Sequence, residues 1–101
     1  MKAIIKTFNE KGLSALLWAK KEEDDFRRKS KKIPRIFQTK QLKKFLSTKS
    51  EMVDDRQIIT GFENYAEEDK KFFSDRVTEA LIKNGATKKD FEVLFENDGE
   101  Q

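Results

Sequence analysis

The sequence predicts an all-α fold, a small single-domain bundle of four to five short helices around a phenylalanine-rich core. Three observations point there. Apolar residues recur at i, i+3, i+4 and i+7 in most segments, the period of one helix face. Glycine, asparagine and proline fall where such helices would stop. No two segments alternate apolar and polar residues clearly enough to pair as strands.

The chain has 101 residues, one domain by length. Leu, Ile, Val and Phe supply 26 of them, above the roughly 20% below which a chain stays disordered. Nine are Phe, and large aromatics remove much area from water, at about 25 cal/mol per Å². Charged residues make up 41% of the chain, so the surface is expected to be largely ionic. Residues 1–50 form a basic half and 51–101 an acidic half of this single domain: 15 basic and 5 acidic side chains in the first, 7 and 14 in the second.

The first helix is read from Met1, Ile4, Ile5 and Phe8, with Asn9 and Gly12 interrupting it. Leu13, Leu16 and Leu17 resume the stripe, widened by Ala15, Trp18 and Ala19. Glu23–Arg27, Asp24–Arg28 and Asp25–Lys29 are i,i+4 pairs in the favourable direction, each worth about 0.2–0.5 kcal/mol. They carry the helix on to Lys29 as a solvated extension. Pro34 stops it and pushes Ile33 towards extended geometry. Residues 30–37 then form a connector, with Ile33, Ile36 and Phe37 expected to insert into the core.

Thr39 caps a short helix that carries Leu42, Phe45 and Leu46 inside and Lys40, Lys43 and Lys44 outside. Residues 51–65 are read as helix, although Gln57-Ile58-Ile59-Thr60 is β-prone, because no partner strand is evident. The clearest helix spans 66–84: Glu67, Glu68 and Asp69 complement the dipole of its first turn, and Asn84-Gly85 ends it. Thr87 to Asp90 resembles a capping box, and Phe91, Leu94 and Phe95 follow as the inner face of a last helix.

Several functions are excluded or disfavoured. There is no Cys and no His, so disulfides and Ser–His or Cys–His nucleophile pairs are ruled out. The carboxylates of 22–25 and 67–69 are consecutive on helices and diverge, whereas acid–base catalysis needs convergence. No glycine-rich phosphate loop or calcium-loop spacing occurs. The expectation is a protein that is not an enzyme, with no cofactor and no metal. No apolar run reaches the ~18 residues of a membrane span, and the N-terminus lacks a secretory pattern; a cytoplasmic protein without a membrane partner is expected.

The strongest signal is residues 26–50, which hold ten Lys and Arg and no acid. Clustered cations interleaved with aromatic rings suit nucleic acid. The leading expectation is a non-enzymatic accessory or regulatory protein that binds DNA or RNA through Arg27, Arg28, Lys29, Lys31, Lys32, Arg35, Lys40, Lys43 and Lys44. Phe26, with polar neighbours only, is open to either exposure or burial. Residues 76–95 have helix–turn–helix spacing, but Asp90, Glu92 and Glu96 would repel phosphates, so a structural corner is the reading.

The alternative is an inhibitor or adaptor, of a kind common among phage proteins, for a nucleic-acid-processing protein. In it Glu63, Glu67, Glu68, Asp69, Asp75 and Glu79 imitate a phosphate backbone and occupy a basic cleft. The complementary halves also allow a homodimer.

Overall fold

The computed structural model describes residues 1–62 and 65–96. It corrects the fold class: the protein is mixed α/β, not an all-α bundle. Three helices, α1 (Glu10–Ser30), α2 (Lys40–Leu46) and α3 (Glu67–Lys83), accompany a four-stranded sheet. Its strands are β1 (Lys2–Thr7), β2 (Lys49–Val53), β3 (Arg56–Thr60) and β4 (Phe91–Glu96). They lie in the order β2-β3-β1-β4 with every neighbour antiparallel. It follows that β1 runs parallel to β2, and β3 parallel to β4, each pair split by the strand between. That is the split βαβ connectivity of ferredoxin-like domains.

β1 occupies the residues whose spacing suggested a helix. Met1, Ile4, Ile5 and Phe8 fit a period of 3.6, but Ala3, Ile5 and Thr7 also fit a period of two. Tertiary pairing decides between them. β1 is central, hydrogen-bonded to both β3 and β4, so its side chains on either face are flanked by those of two neighbouring strands. Ile4 is 6% exposed, opposite Ile58 and Leu94, while Ile5 is 1% exposed beneath the helices. A strand whose consecutive residues are buried on both faces reads as an apolar run without alternation, as Ala3, Ile4 and Ile5 do.

Residues 51–65 were expected to be helix; 51–60 instead form most of the β2–β3 hairpin, turning at Asp54-Asp55. The partners that the β-prone run Gln57 to Thr60 needed are β2 on one side and β1 on the other. β4 likewise replaces the last helix. Phe91, Val93 and Phe95 share one face, in register with Thr7, Ile5 and Ala3. Asp90 makes cap-like contacts, accepting from the Thr87 amide at 2.8 Å and the Thr87 hydroxyl at 3.0 Å. They close a turn that leads into a strand, so 76–95 is a helix–strand corner with no second helix.

All three helices belong to one side of the sheet. Ala15 and Leu16 of α1 and Leu81 of α3 are buried with Ala3, Ile5, Ile59, Phe62 and Phe91. Phe62 is ringed edge-on by Tyr65, Phe73 and Phe95, with centroids 4.7–5.7 Å away. Such pairs add about 0.5–1.5 kcal/mol each beyond area burial. Phe8, Phe26, Phe37 and Phe72 are exposed.

Asn9 begins α1 rather than interrupting a helix: its Oδ1 accepts from the Gly12 amide at 2.9 Å. The charged extension is helical as far as Ser30. Its ion pairs are partly rearranged, with Arg28 on Asp25 at 2.7 Å and Lys20 on Asp24 at 2.9 Å. Thr39 caps α2 as expected, accepting from the Leu42 amide at 3.1 Å. Among the described residues, no helix is long and apolar enough to cross a membrane.

Candidate nucleic-acid interface

Between α1 and α2 the chain is held in a series of tight turns. The Lys31 amide donates to the Arg27 carbonyl, Lys32 to Lys29 and Ile33 to Ser30, all within 3.2 Å. Pro34 then starts a single 3-10 turn, Arg35–Phe37, closed by the Phe37 amide on the Pro34 carbonyl at 2.9 Å. The Gln38 side chain folds back to donate to the Ile33 carbonyl at 2.9 Å. Buried Ser30 anchors one end and the Thr39 cap the other. Proline geometry and local hydrogen bonds shape this connector; burial does not.

Ile33, Ile36 and Phe37 were expected in the core and are exposed instead. Ile36 is 85% and Phe37 75% accessible. The sheet already fills the space beneath the helices, and the turn bonds hold the connector away from it.

Against this connector lies a recess of about 700 Å³, walled by Lys31, Lys32, Ile33, Pro34, Arg35, Gln38, Lys43, Leu46 and Ser47. Among the described residues, four cations line it and no acid does. Lys31, Lys32, Arg35 and Lys43 have no ion pair with any described residue, and neither do the exposed Lys29 and Lys40. These six of the nine expected contacts are exposed and unpaired among the described residues, and four of them wall the recess.

The other three are engaged. Arg27 turns inward, 13% exposed, 3.8 Å from Glu23 and with its guanidinium carbon 4.2 Å from the Phe45 ring centroid. Its terminal nitrogens donate to the carbonyls of Phe45 and Thr48 and to the Thr48 hydroxyl. Lys44 donates to Asp69 across to α3. Arg28 is exposed but bound to Asp25. Charge counting cannot separate an inward arginine from an outward one; the helix phase of Glu23 and Arg27 towards the sheet was the available signal.

The acidic set does not form a uniform surface. Glu63 lies outside the described residues. Asp69 is buried, accepting from Lys44 and from the Ala66 amide at 2.9 Å. Those two bonds, Lys44's first, hold its carboxyl below the usual range. Glu67 is paired with Lys70 and Asp75 with Lys71, and only Glu68 and Glu79 are exposed without an ion pair to a described residue. Lys70, Lys71 and Arg76 interleave with the acids along α3, which breaks up the field a phosphate mimic would need.

A second concavity of about 530 Å³ lies between α1, α2 and α3. Its walls are mainly apolar, with Phe26, Leu42, Phe45, Phe72, Phe73 and Val77 among them. Phe26 is half exposed at its edge, its ring 5.6 Å from that of Phe45. Most polar groups there are already paired: Glu23 with Ser50 and Gln57, Glu22 with Lys83 and Asn84, Lys20 with Asp24. Burial pushes the Tyr65 hydroxyl up, helped by Asp69 and opposed by Arg27. Among the described residues no group of three or more acids is placed to hold a metal ion.

Fold and site together define a small split-βαβ domain that presents a cationic recess beside exposed apolar groups. No family model, curated protein or solved structure is significantly similar to the chain.

Proposed function

We propose that the protein is a non-enzymatic accessory or regulatory factor that binds nucleic acid through the connector and α2. One observation carries the reading: Lys31, Lys32, Arg35 and Lys43 wall one recess with no acid among the described residues of its lining. Exposed cations on a solvated surface are usually interleaved with acids. Here the chain holds four of them around a concavity, where their potentials add and a polyanion would replace condensed counterions. Lys29 and Lys40, exposed in the same acid-free stretch of sequence, add to its positive charge. The compartment that goes with this reading is the cytoplasm.

The test is fluorescence anisotropy with labelled oligonucleotides over a salt series. Contact with about four phosphates gives log affinity against log salt a slope of roughly −3 to −4. Lys31→Glu with Lys32→Glu should weaken binding and flatten that slope while circular dichroism stays unchanged, because neither side chain supports the fold. Absence of binding at low salt, or binding indifferent to this pair, would disprove the proposal. Arg27 must be left out of such variants, since its loss would disturb α2 itself.

A further inference from the structure

We infer that the interface takes single-stranded nucleic acid, with Phe37 as the platform on which an unpaired base stacks. This rests on the nucleic-acid reading above and adds the substrate class. Its observations are the apolar ones that the charge argument left unused. Phe37 and Ile36 stand 75% and 85% exposed, in sequence between Arg35 and Gln38 of the recess wall, on a 3-10 turn whose backbone is pinned by the Phe37–Pro34, Gln38–Arg35 and Gln38–Ile33 hydrogen bonds. A ring held open in water on a fixed backbone is preorganised for a flat partner, since little further order is lost on contact.

Base faces are that partner, and only an unpaired strand offers them. In a duplex the faces are hidden in the stack, and the phosphates follow a wide convex surface. A single strand can lower its phosphates into the recess while one base turns out onto Phe37. The recess also argues against a bilayer. A membrane surface is broad and meets cations arranged around an apolar tip, whereas Lys31, Lys32, Arg35 and Lys43 line a hollow that a headgroup plane does not enter. A second copy docked on this patch through a two-fold axis would set these cations against their own counterparts.

The full chain is titrated into labelled oligo-dT, oligo-rU and a mixed-sequence duplex at fixed salt, and into vesicles of phosphatidylserine and phosphatidylcholine. The single strands should bind more tightly than the duplex. Phe37→Ala should weaken single-strand binding between about fivefold and a hundredfold, the range of one lost base–aromatic stack, with the salt slope unchanged. Phe37→Trp in a Trp18→Phe background should retain binding, and its fluorescence should be quenched by oligo-dT. Equal binding of single strands and duplex with no effect of Phe37→Ala overturns this inference and leaves the nucleic-acid reading standing. No binding to any oligonucleotide overturns both. Phe37-dependent binding to the vesicles alone, or Phe37-dependent dimerisation in sedimentation without oligonucleotide, overturns the inference in favour of a membrane or self-contact.

Discussion

The guanidinium of Arg27 donates to the carbonyl and to the hydroxyl of Thr48, tying the last turns of α1 to the entry of β2. The same group donates to the Phe45 carbonyl at 3.0 Å, which also accepts from the Thr48 amide and hydroxyl, so the guanidinium, Thr48 and the last turn of α2 form one network. Thr48 is buried, and water does not readily replace the donor. Arg27→Ala is therefore expected to lower unfolding free energy by about 2–4 kcal/mol, as a charge-assisted, largely buried network is lost. Arg27→Lys should recover only part, because an ammonium cannot reproduce the planar fork. Urea unfolding measures both, and Arg28→Ala, on an exposed pair, should change stability by less than about 0.5 kcal/mol.

Gly12 gives a test in which helix propensity and packing disagree. Alanine inside a helix is favoured over glycine by about 1 kcal/mol, and Gly12 lies inside α1. A Cβ there, however, would overlap the Asp90 carbonyl oxygen, which accepts the Phe8 amide at 3.0 Å. Both sides of the contact are backbone, so relief requires moving the turn before β4. Gly12→Ala should lose about 1–3 kcal/mol, the usual cost of overpacking, in a denaturant titration. A gain in stability would show that this turn shifts freely.

The elements that could be read from the sequence were those with local punctuation. Thr39 before Lys40, the acidic first turn of α3 and Asn84-Gly85 fix helix ends through contacts within a few residues. The strands needed long-range information. β1 is recognisable only when Ile4 is seen facing Ile58 and Leu94, partners more than fifty residues away. Phe91 to Phe95 satisfies both periods, and only pairing with β1 selects the strand.

The site divides in the same way. Lys31, Lys32 and Arg35 flank a proline and have no local acid, and none of them pairs with a described acid. Arg27 and Lys44 are spent on Thr48 and Asp69, partners whose positions follow from the tertiary fold. Ile36 and Phe37 read as inward because apolar residues usually are. Their crowding by proline and four nearby cations was the contrary signal.

Asp54 stands in the β2–β3 turn with φ of 57°, the left-handed region that costs an L-residue roughly 1–2 kcal/mol. Aspartate tolerates it better than most residues, and glycine better still. Asp54→Gly should therefore raise stability, by about 0.5–1 kcal/mol after the entropy of a freer unfolded chain is set against the relieved strain. The thermal midpoint reports the sign. The recess lies elsewhere, so oligonucleotide affinity should not follow the change.

Acid should destabilise the fold through two aspartates that join distant elements. Asn9 donates to Asp90 at 2.9 Å and the Thr87 amide at 2.8 Å, and these bonds hold the Asp90 carboxyl below its ordinary range. Asp69 is depressed in the same sense by Lys44 and the Ala66 amide. A carboxyl depressed in the native state binds protons more weakly there than in the unfolded chain. Its stabilisation is full above the unfolded value of about 3.9 and is lost as pH falls from there through the native one. The thermal midpoint should thus be insensitive to these groups between about pH 5 and 7 and drop below about pH 4. Asp69→Asn and Asp90→Asn should each lower the plateau and flatten the acid limb, the double variant most. A midpoint that already declines between pH 7 and 5, or an acid limb unchanged in both variants, would assign acid sensitivity to other carboxylates.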